Sequence, residues 1–375
     1  MTNTLFSEFR LKDVQLRNRI AVPPMCQYMA TDGFVNDWHL SHYAGLARGG
    51  AGLVIVEATG VLPEGRITPA CLGLWSDDHI EGLAGVARQI RNAGAVPGIQ
   101  IAHAGRKASA HRPWEGDDHI DPADPSAWTP RGPSAVAFGG GLPRVPEALS
   151  IEDIADVRTA FANAARRAAK AGFEWLELHF AHGYLAQSFF SPHANQRTDA
   201  YGGDEAGRGR FLLETLDDVR EAWPENLPLT IRFGVAEYDG NDDVTTLESV
   251  RLIRQFREHG ADFISVTLGF NTPMAEIPWG AGFMLPLAER VRQETGMPVA
   301  TAWGLGAPRL ADKGIRDEQI DLAMIGRAHL ANPFWPLQAA RTLGVERPEW
   351  VLPAPYAHWL ERYHEVPDLS AEEVG

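Results

Sequence analysis

His179 and His182 stand three residues apart in WLELHFAHGYLAQSFF (175–190), with Tyr184 two residues further on. Imidazoles at that spacing can ligate a metal, donate as a pair to a small anion or a polarised oxygen, or serve as ordinary polar residues of a loop. The residues before them alternate as a strand does, so the histidines fall where a strand gives way to a turn. Other residues able to do chemistry occupy comparable places. Short apolar runs lead into Pro23, Pro24, Met25 and Cys26, followed by Gln27 and Tyr28. Others lead into Glu57 and Ala58, into Gln100 and His103, and onto Arg232. The last two lead into Ala302, Trp303, Gly304, Leu305 and Gly306, and into Gly326 and Arg327.

These positions need elements that bring them together. The apolar, β-branched runs lie at 19–25, 52–58, 96–103, 173–180, 228–234, 262–269, 298–304 and 321–328, which makes eight. Helical patterns lie between most of them. In 151–171, Ile151, Ile154, Val157, Phe161, Ala164 and Ala168 share one helical face, and Ser150 before Glu152 and Asp153 suits its start. Helices are also predicted over 208–222, 245–259 and 282–295. Eight strands alternating with helices imply a parallel sheet, and eight such units close into a (β/α)8 TIM barrel. An open doubly wound sheet would need a glycine-rich G-x-G-x-x-G turn after an early strand, and none occurs there. The chain is therefore predicted to be α/β, a single barrel domain over 1–375, with an excursion at about 104–150 capping it after strand 3. Within the excursion, AVAFGGGLPRV could form a hairpin.

Barrel enzymes place their sites at the C-terminal ends of the strands, with phosphate held by the loops after strands 7 and 8. Both of those loops supply glycine here, and one adds Arg327. Bare backbone N–H groups can wrap a phosphate, and a guanidinium can meet it with two hydrogen bonds. A metal centre fits less well. Strand 1 ends in Pro-Pro-Met-Cys where metal-dependent barrel hydrolases carry paired histidines, and only Glu57 and Glu177 lie near the other strand ends. A Schiff-base aldolase needs a lysine at a strand end, and the four lysines, Lys12, Lys107, Lys170 and Lys313, are not placed so by this reading. A phosphate-bearing organic cofactor is the expectation, with a metal-dependent barrel hydrolase as the alternative.

The segments LRNRIAVPPMCQYMATDG, GIQIAHAGRKAS, ELHFAHGYLAQSFFSPHANQRTDAYGG, IRFGV and IGRAHLANPFW resemble, in order and over nearly the whole chain, the Old Yellow Enzyme family of FMN-dependent ene-reductases, in the bacterial branch typified by xenobiotic reductase. The resemblance implies tightly but non-covalently bound FMN and NADPH or NADH as hydride donor. It implies flavin contacts from Pro24, Met25, Cys26, Ala58, Gln100, Arg232, Ala302, Trp303, Gly304, Gly326 and Arg327, with Cys26 tuning the flavin. It implies that His179 and His182 hold the oxygen of an α,β-unsaturated carbonyl or nitro substrate, and that Tyr184 gives the proton to Cα. Tyr28, Trp303 and Trp359 are expected at the pocket wall. Trp359, in the segment at about 345–365, would reach a neighbouring subunit's pocket, so a homodimer or a dimer of dimers is expected. Dienoyl-CoA reductases and amine dehydrogenases of the same superfamily carry an iron–sulfur cluster and a further nucleotide domain. This chain has neither the cysteines nor the length for them.

Composition narrows the partners further. A net charge of -15 is wrong for binding a nucleic acid backbone and gives no attraction to an anionic membrane. The two cysteines, Cys26 and Cys71, cannot build a disulfide framework, so a reducing cytoplasm is expected. The N-terminus lacks the apolar core of a signal peptide, and no apolar run reaches the roughly 18 residues that span a bilayer. The acidic end DLSAEEVG reads as a loose tail.

Overall fold

The computed structural model describes residues 3–364; the acidic end at 368–375 lies outside them. Eight parallel strands close into a barrel. They are β1 (Ile20–Val22), β2 (Leu53–Gly60), β3 (Val96–Ala102), β4 (Trp175–Phe180), β5 (Leu229–Ala236), β6 (Phe263–Leu268), β7 (Val299–Thr301) and β8 (Leu322–Met324). Ala323 and Met324 of β8 pair with Ile20 and Ala21 of β1, which closes the ring. Each predicted strand is present, and the fold is the TIM barrel expected.

The outer helices are α1 (Asp37–Arg48), α2 (Ile80–Asn92), α3 (Ile151–Lys170), α4 (Glu205–Ala222), α5 (Asp242–Glu258), α6 (Leu285–Thr295), α7 (Pro308–Arg316) and α8 (Trp335–Leu343). Their starts follow local chemistry. The Ser150 hydroxyl accepts from Asp153 N–H at 3.1 Å while the Asp153 carboxylate accepts from Ser150 N–H at 2.9 Å, a reciprocal cap on α3. Asp204 caps α4 through Gly207 N–H, so that helix begins three residues earlier than the apolar pattern suggests.

Three strands are shorter than their apolar runs. β1 stops before Pro23 and Pro24, which have no N–H to give a ladder. β7 stops before Ala302 and β8 before Ile325. The apolar residues beyond them line a cleft and do not continue the sheet.

Side chains alternate between two cores along most of each strand, with the register shifting between Val56 and Thr59 in β2. In β4, Leu176, Leu178 and Phe180 face the helices while Trp175, Glu177 and His179 point inward. The inner face is apolar at its N-terminal end, with Leu53, Ile55, Trp175, Phe263, Ala300 and Leu322. A short antiparallel hairpin, Phe9–Leu11 with Val14–Leu16, plugs that end. Phe9 packs edge-on to Phe263 at 6.1 Å, and Phe263 to Trp175 at 5.5 Å. Burying a side chain of this size stabilises by roughly 1.5–3 kcal/mol. With its N-terminal end filled, the barrel is open only at its C-terminal end.

The excursion has no long helix or barrel strand. It holds single turns at Gly105–Lys107 and Pro113–Glu115, and a two-residue parallel pair of Arg131–Gly132 with Glu147–Ala148. The expected hairpin reduces to one antiparallel bridge between Gly139 and Leu142. The glycines at 139 and 140, both with positive φ, make the turn but leave little side chain to zip strands together.

Candidate active site

Towards the C-terminal end the inward positions change from apolar to polar. The strand register sets Gln100 beside Glu177, and His179 beside Arg232. Above them opens a cleft of about 390 Å³, within the range of small-molecule sites. Pro24, Met25, Cys26, Ala58, Gln100, His179, His182, Tyr184, Arg232, Ala302, Trp303, Gly304, Gly326 and Arg327 all line it. The sequence-predicted set therefore converges, apart from two members. Tyr28 sits half-buried beside Cys26, with its ring edge-on to Trp114 of the excursion at 5.9 Å. Trp359 lies in a short helix, Ala354–Leu360, and is 71% exposed, away from its own chain's cleft.

The histidine pair is built by a tight turn. His179 ends the inward row of β4. His182 and Gly183 then take left-handed conformations, φ 59° and 68°, which turn the chain back over the barrel mouth. The rings of His179 and His182 meet edge to face at 4.9 Å, and Tyr184 meets His179 at 4.9 Å. His182 Nε2 is tied to Thr267 Oγ1 at 3.0 Å, which leaves Nδ1 as its free nitrogen. The same Thr267 oxygen accepts from Trp303 Nε1–H at 2.9 Å, so one hydroxyl orients two cleft rings. Burial, and next the Arg232 charge, hold both imidazoles well below their ordinary pKa, so they are neutral. Burial raises the Tyr184 phenol, which stays protonated.

The floor is charged. Arg232 is 6% exposed, and burial depresses its pKa against the pull of Glu177. Glu177 accepts from Gln100 Nε2–H at 2.8 Å, which turns the Gln100 carbonyl away from it. Burial lifts the Glu177 carboxyl to about 7. Arg232 Nε, Glu177 Oε2 and His179 Nδ1 are buried without a hydrogen-bond partner. Beneath the β1 turn, Glu57 accepts from Gln27 N–H at 2.8 Å and from the Tyr43 hydroxyl at 3.0 Å, and burial lifts it to about 7 as well. Cys26 is half-buried, and burial holds its thiol well above the ordinary value.

Sequence reading missed Thr267, whose role depends on β6 lying beside the turn after β4. It also set lysine aside. Lys107, five residues beyond β3, brings its ammonium under that same turn, 2.8 Å from the His182 carbonyl. Only its place in GRKAS hinted at this.

A family model described as NADH:flavin oxidoreductase / NADH oxidase matches residues 4–346. The chain belongs to that family. The NADPH dehydrogenase of Geobacillus thermodenitrificans (strain NG80-2) is 39% identical over 348 residues, covering 92% of this chain and 96% of the relative. Morphinone reductase superposes with a TM-score of 0.77 at 25% identity, covering 92% of this chain and 91% of that one. A 2-naphthoyl-CoA reductase complex shares the fold with a TM-score of 0.81 at 24% identity, and this chain spans 54% of its length. The protein is thus an Old Yellow Enzyme-type, FMN-dependent oxidoreductase, and a metal-dependent hydrolase is set aside.

The cleft fits FMN on the chemistry of its own residues. The unpartnered Arg232 Nε and the freed Gln100 carbonyl offer a donor and an acceptor to the polar edge of a flavin ring. Gly304 has φ 72°, and a Cβ there would stand 2.3 Å from the Gly280 carbonyl, so only glycine keeps this wall close-set. Gly326 and Arg327 line the same cleft.

Proposed function

We propose that the chain is an NAD(P)H-dependent ene-reductase acting on α,β-unsaturated carbonyl or nitro compounds. Bound FMN would supply hydride transfer between the nicotinamide and Cβ of the substrate. The remaining work falls to the protein. Arg232 puts a positive charge at the floor, where negative charge collects. The backbone of Gly304 and Gly326, with Arg327, would hold the phosphate. Met25 and Cys26 border the ring, and the thiol tunes it without entering turnover.

His179 and His182 donate to the substrate oxygen. Neutral imidazoles polarise the conjugated double bond without surrendering a proton to the oxygen. Tyr184 delivers a proton to Cα. Its buried, protonated phenol is the state a general acid needs. Tyr28 and Trp303 narrow the pocket. Trp359 completes the pocket of a neighbouring copy in a homodimer or a dimer of dimers. NADPH is the favoured donor, because the relative that is 39% identical carries the name NADPH dehydrogenase.

The observation that carries this reading is the convergence of His179, His182 and Tyr184, ring edge to ring face, over the Arg232 floor. Replacing both histidines by alanine should abolish the charge-transfer band that p-hydroxybenzaldehyde forms with the flavin, while FMN stays bound. A band of wild-type strength and affinity would return the pair to ordinary loop residues.

A further inference from the structure

Lys107 is one of four lysines in the chain, and it is buried beside the donor pair. It ends the single turn Gly105–Lys107 that opens the excursion. Its ammonium donates to the His182 carbonyl at 2.8 Å and to the Phe270 carbonyl at 2.7 Å. It also stands 4.1 Å from the Phe138 ring centroid and 5.9 Å from that of Tyr184. One side chain therefore joins the segments after β3, β4 and β6 to the excursion. Arg106 reinforces the junction by donating to the Asn271 and Ala137 carbonyls. Glu237 anchors Asn271 from the far side through its N–H and its amide.

The turn that Lys107 grips carries its own cost. His182 holds φ 59°, a conformation disfavoured for a residue with a Cβ, and something must keep it there. A Cβ at Gly183 would lie 2.3 Å from the Phe270 carbonyl oxygen and 2.9 Å from both Lys107 Nζ and Cε, so glycine is what lets the turn, the amine and that carbonyl meet. Burying an ammonium is costly unless its donors are used. Here burial, and next Arg106, pull the Lys107 pKa down to about 7, with Glu237 and Asp117 opposing. The side chain is therefore held in place by a specific geometry and not by solvation.

We propose that Lys107 is a positioning residue for substrate, fixing the left-handed turn at His182 so that this ring presents its free nitrogen to the substrate oxygen. The inference rests on the reading of His182 as a substrate donor. Lys107 itself does not line the cleft. Its reach to Phe270 also sets that ring, which packs 5.6 Å from His182 and 6.2 Å from Trp303.

The test is a double-mutant cycle on the FMN-loaded enzyme, read by the charge-transfer titration with p-hydroxybenzaldehyde. Lys107→Met should keep its FMN and bind the phenol about tenfold more weakly. His182→Ala should also bind it weakly. The double variant should be no weaker than His182→Ala alone, because the lysine acts through that ring. Wild-type affinity in Lys107→Met, or full additivity in the double variant, would overturn the proposal. Should Lys107→Met fail to fold, Lys107→Gln decides in its place, since its shorter, neutral side chain cannot grip both carbonyls. It should weaken the band with FMN retained, and an unchanged band would overturn the proposal. Unaltered binding in His182→Ala would instead overturn the donor reading, whatever Lys107 does.

Discussion

Gly304→Ala puts the phosphate end of the cleft to the test. At φ 72° an alanine pays the left-handed penalty of roughly 1–2 kcal/mol. Its methyl would also stand 2.3 Å from the Gly280 oxygen and 2.7 Å from the Gly282 nitrogen, both backbone atoms that cannot swing aside. Overpacking of that kind adds roughly 1–3 kcal/mol. The two terms together come to about 2–5 kcal/mol. The loop can relieve this only by moving, which breaks the Gly282 N–H bond to the Gly304 carbonyl, 3.1 Å long, and reshapes the wall. If half of the strain is expressed in the bound state, FMN affinity falls by roughly 5- to 60-fold. The control is Gly306→Ala in the same loop, whose Cβ meets only the Ala328 methyl at 3.4 Å. Titrating FMN into the two apoproteins by quenching of flavin fluorescence compares them. Affinity within twofold of wild type for Gly304→Ala, or equal losses for both variants, would refute the reasoning.

Further outcomes follow from the same geometry. Tyr184→Phe should leave flavin reduction by NADPH intact and slow reoxidation by cyclohexenone by roughly 10²–10⁴-fold, seen in separate stopped-flow half-reactions. Burial raises the Tyr184 phenol, so it stays protonated as pH rises, and burial lowers both imidazoles, so they stay neutral as pH falls. Enone reoxidation should therefore show no limb from these three groups between about pH 6 and 9. A basic limb that vanishes in Tyr184→Phe would contradict this. Trp359→Ala should alter substrate preference through the neighbouring chain. A heterodimer of Trp359→Ala with an Arg232→Ala chain should keep wild-type preference, because the intact flavin site is walled by the other chain's tryptophan. Preference matching the Trp359→Ala homodimer would place Trp359 in its own pocket.

The barrel was legible because its strands are buried on both faces and so read as dense apolar runs. The alternation of Trp175, Glu177 and His179 carried more still, since it put the histidine at the open end and the carboxylate one layer below. Strand ends were not legible. Ala302, Trp303 and Ile325 are as apolar as the strands before them, and hydropathy cannot tell a ladder from a cleft wall. The plug at Phe9–Leu11 and Val14–Leu16 consists of three-residue strands, too short for any period to show. Thr267 and Lys107 escaped for another reason. Each matters only through atoms it meets from distant segments, and neither has a spacing that announces it. Trp359 was singled out by the family resemblance and not by barrel logic, and a single chain leaves it in solvent.

The most direct measurement is anaerobic turnover of the purified, FMN-loaded protein. One equivalent of NADPH should bleach the flavin absorbance without oxygen. Cyclohexenone added next should restore the oxidised spectrum and yield one equivalent of cyclohexanone. A flavin that is bleached by NADPH and recovers only on admission of air would contradict the assignment of His179, His182 and Tyr184 to the reduction of an activated double bond.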